Sequence, residues 1–262
     1  MIEFPRPSLP LKASAAVFNP ALSALTEWCS PKSFRLESGL AWIIEKAFGG
    51  EQFQQFWWVG PDFGADRAAM NSLKSALTPG SFTQSQRAPT ITFMNGAVLS
   101  FKDASNQNSL YSDSVRACTV DQAVLIPERS WTALQQSLAN TRAPVRLLST
   151  CAGRGHWFHQ LCRDAERSED RERFSYARYA ASDAVTDGLL DPADLDYARS
   201  TLPDHIFRAL YLAEPYDERI EQAHRAGDSK LMSDDELAII ANISPAELSS
   251  VPNSVLQELA DA

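Results

Sequence analysis

Residues 33–77 read SFRLESGLAWIIEKAFGGEQFQQFWWVGPDFGADRAAMNSLKSAL, and the changes of periodicity inside this stretch decide the fold. Ser33 to Leu36 is a candidate short strand, Ser38-Gly39 a turn, and Leu40 to Phe48 an apolar run at helical spacing that stops at Gly49-Gly50. Phe56-Trp57-Trp58-Val59 is then apolar without interruption and ends at Gly60-Pro61, the pattern of a strand buried on both faces. Ala65 to Leu77 returns to helical spacing. This alternation predicts an α/β fold with a mostly parallel sheet flanked by helices. The same reading takes Trp57-Trp58 as core and not as a stacking platform for single-stranded nucleic acid.

Working outward, residues 1–17 form a Pro-rich arm, and Phe18-Asn19-Pro20 precedes Ala21 to Cys29, which reads as a short helix with Leu22, Leu25 and Trp28 at helical spacing. On the other side, Thr90 to Met94 and Ala97 to Phe101 flank Asn95-Gly96, predicting a hairpin with a type I′ turn. Ala117 to Asp121 is an apolar strand ending in a carboxylate. Val145 to Leu148 is a further strand, ending at Ser149-Thr150 and opening through Gly153 and Gly155 into the helix Trp157 to Ala165. Leu190-Asp191-Pro192 and Pro203-Asp204-His205 are helix starts. In open α/β sheets chemistry gathers beyond the carboxyl ends of strands, which singles out Ser38-Gly39, Gly60-Pro61, Asp121 and Ser149-Thr150.

At 262 residues the chain can bury a core without a metal or disulfide staple, so Cys29, Cys118, Cys151 and Cys162 read as reduced thiols. No apolar run approaches the roughly 20 residues of a membrane span, and the arm lacks a signal-peptide core; a cytoplasmic location is the expectation. Cys151, His156, His159 and Cys162 are zinc-ligand types, but three ligands along one helix cannot wrap a tetrahedral ion easily, and a mixed polar–apolar face is the preferred reading. Arg163, Arg167, Arg171 and Arg173 are interleaved with acids and read as a solvated helix face. Charge is concentrated at the end of the chain. From Glu214 onward 11 acidic residues stand against 3 basic ones, whereas the preceding residues carry 22 against 21. The capping-box pairs Ser233/Glu236 and Ser244/Glu247 predict a small acidic helical tail over 216–262, suited to protein contact.

Taken in order, these segments resemble the ATPase domain of the phage large terminase subunit, the motor that packs DNA into tailed-phage heads. The resemblance spans Phe18 to Glu214 and rests on Phe56–Pro61, the Ile91–Phe101 hairpin, Val120-Asp121-Gln122-Ala123 with Pro127-Glu128 and Trp131, and Ser149-Thr150 with Gly153-Arg154 and Trp157-Phe158. Ile206-Phe207-Arg208 and Tyr211–Glu214 extend it. It implies a P-loop-NTPase-like fold of the RecA/ASCE type over residues 18–215.

The positions that would carry ATP chemistry depart from the family pattern. A P-loop, Gly-x-x-x-x-Gly-Lys-Ser/Thr, wraps phosphates with backbone N–H groups, reaches them with the lysine and holds Mg²⁺ with the hydroxyl. The stretch aligned with it, Phe34 to Ala41, has Phe34 for the first glycine, Leu40 for the lysine and Ala41 for the hydroxyl; Gly39 alone survives, and Glu37 adds negative charge. The strand-end Asp-Glu pair of these motors is here Asp121-Gln122, and a neutral amide cannot accept a proton as a general base. Leu22 stands where a glutamine reads adenine.

The expectation is a pseudo-ATPase with no ATP or Mg²⁺ cofactor, Asp121 being the one residual metal candidate. It would act by contact with protein partners such as terminase subunits or portal, with DNA touched only within a complex and no membrane partner. The 48 residues after Glu214 are too few for the nuclease domain that follows in the family, so nuclease activity is not expected. The rival readings are a divergent active packaging ATPase, using ATP and Mg²⁺, and a structural protein that has co-opted the fold.

Overall fold

The computed structural model describes residues 9–30, 34–85, 87–112, 114–151, 153–202 and 204–215; the expected acidic tail lies outside them. Eight strands, β1 (Ser23–Trp28), β2 (Gln55–Gly60), β3 (Phe82–Gln84), β4 (Thr90–Phe93), β5 (Val98–Asp103), β6 (Val115–Asp121), β7 (Val145–Thr150) and β8 (Phe174–Tyr179), form one sheet. Their order is β3-β4-β5-β2-β6-β7-β1-β8. β2 runs parallel to both β5 and β6, and β6 parallel to β7, while β3 and β4 extend the sheet antiparallel. Amides of Leu22, Ser23 and Cys29 donate to carbonyls of Glu172, Arg173 and Tyr179, so β1 and β8 also advance together. The helices are α1 (Leu11–Val17), α2 (Arg35–Phe48), α3 (Phe63–Ala76), α4 (Glu128–Thr141), α5 (Trp157–Arg167), α6 (Ala181–Thr186), α7 (Pro192–Thr201) and α8 (Asp204–Leu212). This is the mostly parallel, helix-flanked sheet that the alternation predicted. None of the described helices is long and apolar enough to cross a membrane.

The described residues divide into two compact units, one over 9–27, 34–149 and 160–178 and the other over 28–30, 150–159 and 179–215. In the larger, Trp58 of β2 is fully buried between Phe101 of β5 and Thr119 of β6. Above it lies α2. A methyl group placed on Gly39 would come to 2.6 Å from Leu148 Cδ1 and 3.1 Å from the Trp58 ring, so glycine here lets helix and sheet approach closely. The other end of α2 is held by Asn95, whose Nδ2 donates to the carbonyls of Ala47, Phe48 and Gly50. α3 starts on Asp62, whose side chain accepts from the Ala65 amide, and buries Ala69, Met70 and Leu73 on one face.

The smaller unit is built around aromatic groups. The Trp28 and Tyr179 rings lie 5.3 Å apart, and the Tyr179 hydroxyl donates to Asp187 at 2.8 Å. Phe207 and Tyr211 stack along α8, and the Ser30 amide donates to the Leu210 carbonyl. α7 begins as its Asp-Pro signal predicted, with Asp191 capping the Ala193 amide. Burial raises the Cys29 thiol to about 12, with Asp183 adding to the effect.

Several local expectations are corrected. Ala21 to Cys29 is not a helix: residues 23–28 form β1, with Ala24 through Trp28 all buried. A strand covered on both faces shows no two-residue alternation, and the spacing of Leu22, Leu25 and Trp28 mimicked a helix. Of the expected strand Ser33 to Leu36, Ser33 lies outside the described residues, and Arg35 and Leu36 already belong to α2. The hairpin is present, with Thr90 opposite Ser100 and Thr92 opposite Val98, but its turn is not type I′. The Gly96 amide donates to the Phe93 carbonyl and the Phe93 amide to that of Ala97, and within the turn Gly96 alone has positive φ, 80°. That is a three-residue loop in which glycine takes the left-handed position. The arm contains a helix, α1, and β8 carried no readable signal. The arginine cluster is not one solvated face: Arg163 turns inward to the buried carboxylate of Glu27, which also accepts from the Tyr176 hydroxyl.

Candidate functional site

Parallel strands β2, β5, β6 and β7 bring Gly60, Asp103, Asp121 and Ser149 to the same edge of the sheet. There Asp121, the last residue of β6, is 4% exposed and accepts a hydrogen bond from Arg35 Nε at 2.8 Å. Arg35 is the first residue of α2, and the residue before it, Phe34, adopts the left-handed conformation at φ 52° that swings the chain into the helix. After Asp121 the chain turns at Gln122, also left-handed at φ 52°, into a short 3₁₀ turn over Ala123–Leu125. Within that turn the Val124 amide donates to Ser149 Oγ, a buried hydroxyl at the end of β7. Two neighbouring strand ends are thereby tied together beside the ion pair.

Gly39, Leu40 and Ala41 lie in the second turn of α2 and are buried in the core. They are not at the strand-to-helix junction, which falls at Phe34 and Arg35; the surviving glycine serves helix–sheet packing. Leu22 is half-buried just before β1, where its amide bonds Glu172 and its carbonyl accepts from the Val145 amide. Trp57 and Trp58 are core, as expected, and the Lys102 ammonium lies 4.9 Å from the Trp57 ring centre. Burial lowers the pKa of that lysine. Among the described residues no three His, Cys, Asp or Glu side chains converge to hold a metal ion.

Sequence reasoning missed Arg35 and Arg146. Arg146, on β7, is buried and donates to the carbonyls of Val17, Asn19, Ala21 and Val145, while its guanidinium lies 4.2 Å from the Trp42 ring centre. It clamps the segment ahead of β1, and burial lowers its pKa to about 10. Nothing in Val145-Arg146-Leu147-Leu148 itself points to those distant carbonyls. The signal for Arg35 was its place at the start of a helix, visible only to a reading that recognised β1.

No protein-family model and no curated protein matches the chain. Solved structures do. The large terminase ATPase domain of Thermus phage P74-26 is 16% identical with a TM-score of 0.64, over 78% of this chain and 92% of that one. The large terminase of a second, thermophilic bacteriophage is 14% identical with a TM-score of 0.65, over 79% of this chain and 53% of that one. For the HK97 bacteriophage large terminase the values are 13% and 0.64, over 77% and 49%. The chain thus spans nearly all of an isolated ATPase domain and about half of the longer terminases. The likeness establishes the fold.

Proposed function

We propose that this chain is a terminase-like protein whose nucleotide site is closed by its own side chains, and that it acts by binding, as an accessory or modulator of phage DNA packaging. The observation that carries this reading is the Arg35–Asp121 pair. Counting the eight P-loop positions back from the start of α2 aligns Cys29 to Leu36 with the motif, five residues earlier than the Phe34 to Ala41 register. Arg35 then takes the lysine position and Leu36 that of the hydroxyl. Leu36 has no oxygen for Mg²⁺, and Asp121, the carboxylate suited to that ion, is already paired with a guanidinium. Gln122 supplies no general base. The near-balanced charge of residues 1–213 suits protein contact better than tight DNA binding, which needs net positive charge.

One observation favours the active-motor rival: a guanidinium at a helix N-terminus is well formed to receive phosphate oxygens in pairs once it leaves its carboxylate. The large terminase of the thermophilic bacteriophage has been captured with ADP and with ATP-γ-S. Calorimetry of the full chain with Mg·ATP separates the two. The expected result is no binding below millimolar concentration and no hydrolysis. Micromolar affinity that is lost in Arg35→Ala would establish the motor instead. For the contact role, co-purification with terminase subunits or portal at physiological salt is expected. Failure to form any such complex, together with tight salt-sensitive DNA binding by the purified chain, would overturn it.

A further inference from the structure

At the end of β2, next to the ion pair, lies a carboxyl group buried without a cation. Asp66, in the first turn of α3, is 1% exposed, and neither carboxyl oxygen has a hydrogen-bond partner of normal geometry. A methyl group added to Gly60 would come to 2.5 Å from Asp66 Oδ1 and 3.3 Å from its Cγ, so the carboxyl fills the space a side chain at residue 60 would take. The charges acting on it are all negative: Asp62 from the helix cap, Asp103 from the end of β5 and Asp121 from the end of β6. Cations on the neighbouring elements are engaged elsewhere. Arg35 of α2 is on Asp121, Lys102 of β5 lies over Trp57, and Arg67 of α3 lies over Phe63.

We infer that Asp66 is a proton-operated latch: protonated and neutral, it packs behind Gly60 and lets α3 close on the end of β2; ionised, it forces that junction open. A buried carboxylate with no cation beside it and no well-formed hydrogen bond is among the costliest groups a fold can hold, and the usual response is to keep the proton. Burial raises the Asp66 carboxyl to about 7, the nearby Gly60 amide offsets part of this, and Asp103, Asp62 and Asp121 raise it further. In the unfolded chain an aspartate releases its proton near 3.9. Between those values the folded state binds the proton and the unfolded state does not, so stability falls as pH rises from about 4 to about 7 and then levels off. The separation corresponds to roughly a 10³-fold change in the unfolding constant.

The test uses the full chain and no nucleotide, so it stands apart from the ATP-site reading. Unfolding constants of the wild type and Asp66→Asn are measured in urea from pH 4.5 to 8.5. The wild type should lose ground to the variant by up to roughly 10³-fold across the window and no further above it. Amide hydrogen exchange over residues 60–66 should accelerate in the same window in the wild type alone. The Asp66 carboxyl carbon, followed by NMR in the wild type, should titrate near neutral pH whatever the variant does. A midpoint below 5, or a wild-type-to-variant ratio that ignores pH, would overturn the latch. So would stabilisation by Mg²⁺ that the variant loses, because the carboxyl would then be a cation ligand.

Discussion

Two adjacent strand ends bury a carboxyl group each and treat it in opposite ways. At the end of β6, Asp121 is met by Arg35; behind the end of β2, Asp66 is met by other carboxylates. Burial is similar, 4% and 1% exposed, so burial alone does not decide which group carries charge. The partner does. A guanidinium in hydrogen-bond contact repays the desolvation of Asp121, and without one the proton stays on Asp66.

The contrast can be broken from the paired side with the largest effect. Arg35→Ala leaves Asp121 buried and alone and should cost about 3 kcal/mol, the low end for a broken buried pair because Arg35 keeps some exposure. Chemical denaturation measures this, and adding Asp121→Asn should recover most of the loss. If the single and double variants were equally destabilised, the pair would not be what keeps the Asp121 charge tolerable. Gly39→Ala is expected to be milder. Its methyl pushes on Leu148 and the Trp58 ring, an overpacking cost of about 1–3 kcal/mol that the better helix propensity of alanine partly offsets. Stability equal to wild type would mean that α2, and Arg35 with it, is not set by that close approach. Asn95→Ala should have the smallest effect, about 1 kcal/mol, the ordinary net worth of neutral hydrogen bonds in part-buried surroundings such as those it makes at the far end of α2. Thermal unfolding would register it, and Arg35–Asp121 should be undisturbed.

How much of the site was legible depended on how local each feature is. Asp121 was found because an apolar strand ending in a carboxylate is contiguous in sequence. Arg35 was passed over because Ala21–Cys29, the segment that holds β1, reads as a helix, which moves the strand-to-helix junction and places the phosphate-loop register on Leu40 and Ala41. Asp66 sits in an otherwise ordinary polar helix start, Pro61-Asp62-Phe63-Gly64-Ala65-Asp66, and nothing in that hexapeptide reveals that its last residue faces inward.

The sequence alone determined the alternation of strands and helices, the buried run of β2, the place of the Asn95-Gly96 turn and the absence of a P-loop signature, because each is written in residues a few positions apart. The tertiary structure decided that residues 23–28 are a strand inside the sheet, that Gly39 serves packing, and that Arg35 and Asp121, 86 residues apart, share a hydrogen-bonded ion pair. It also decided that Asp66 is buried beside other carboxylates with no hydrogen-bond partner of normal geometry. Periodicity reports which face of an element is apolar; it does not report what the sheet brings against that face, and the charge state of a buried carboxyl is set by those distant neighbours.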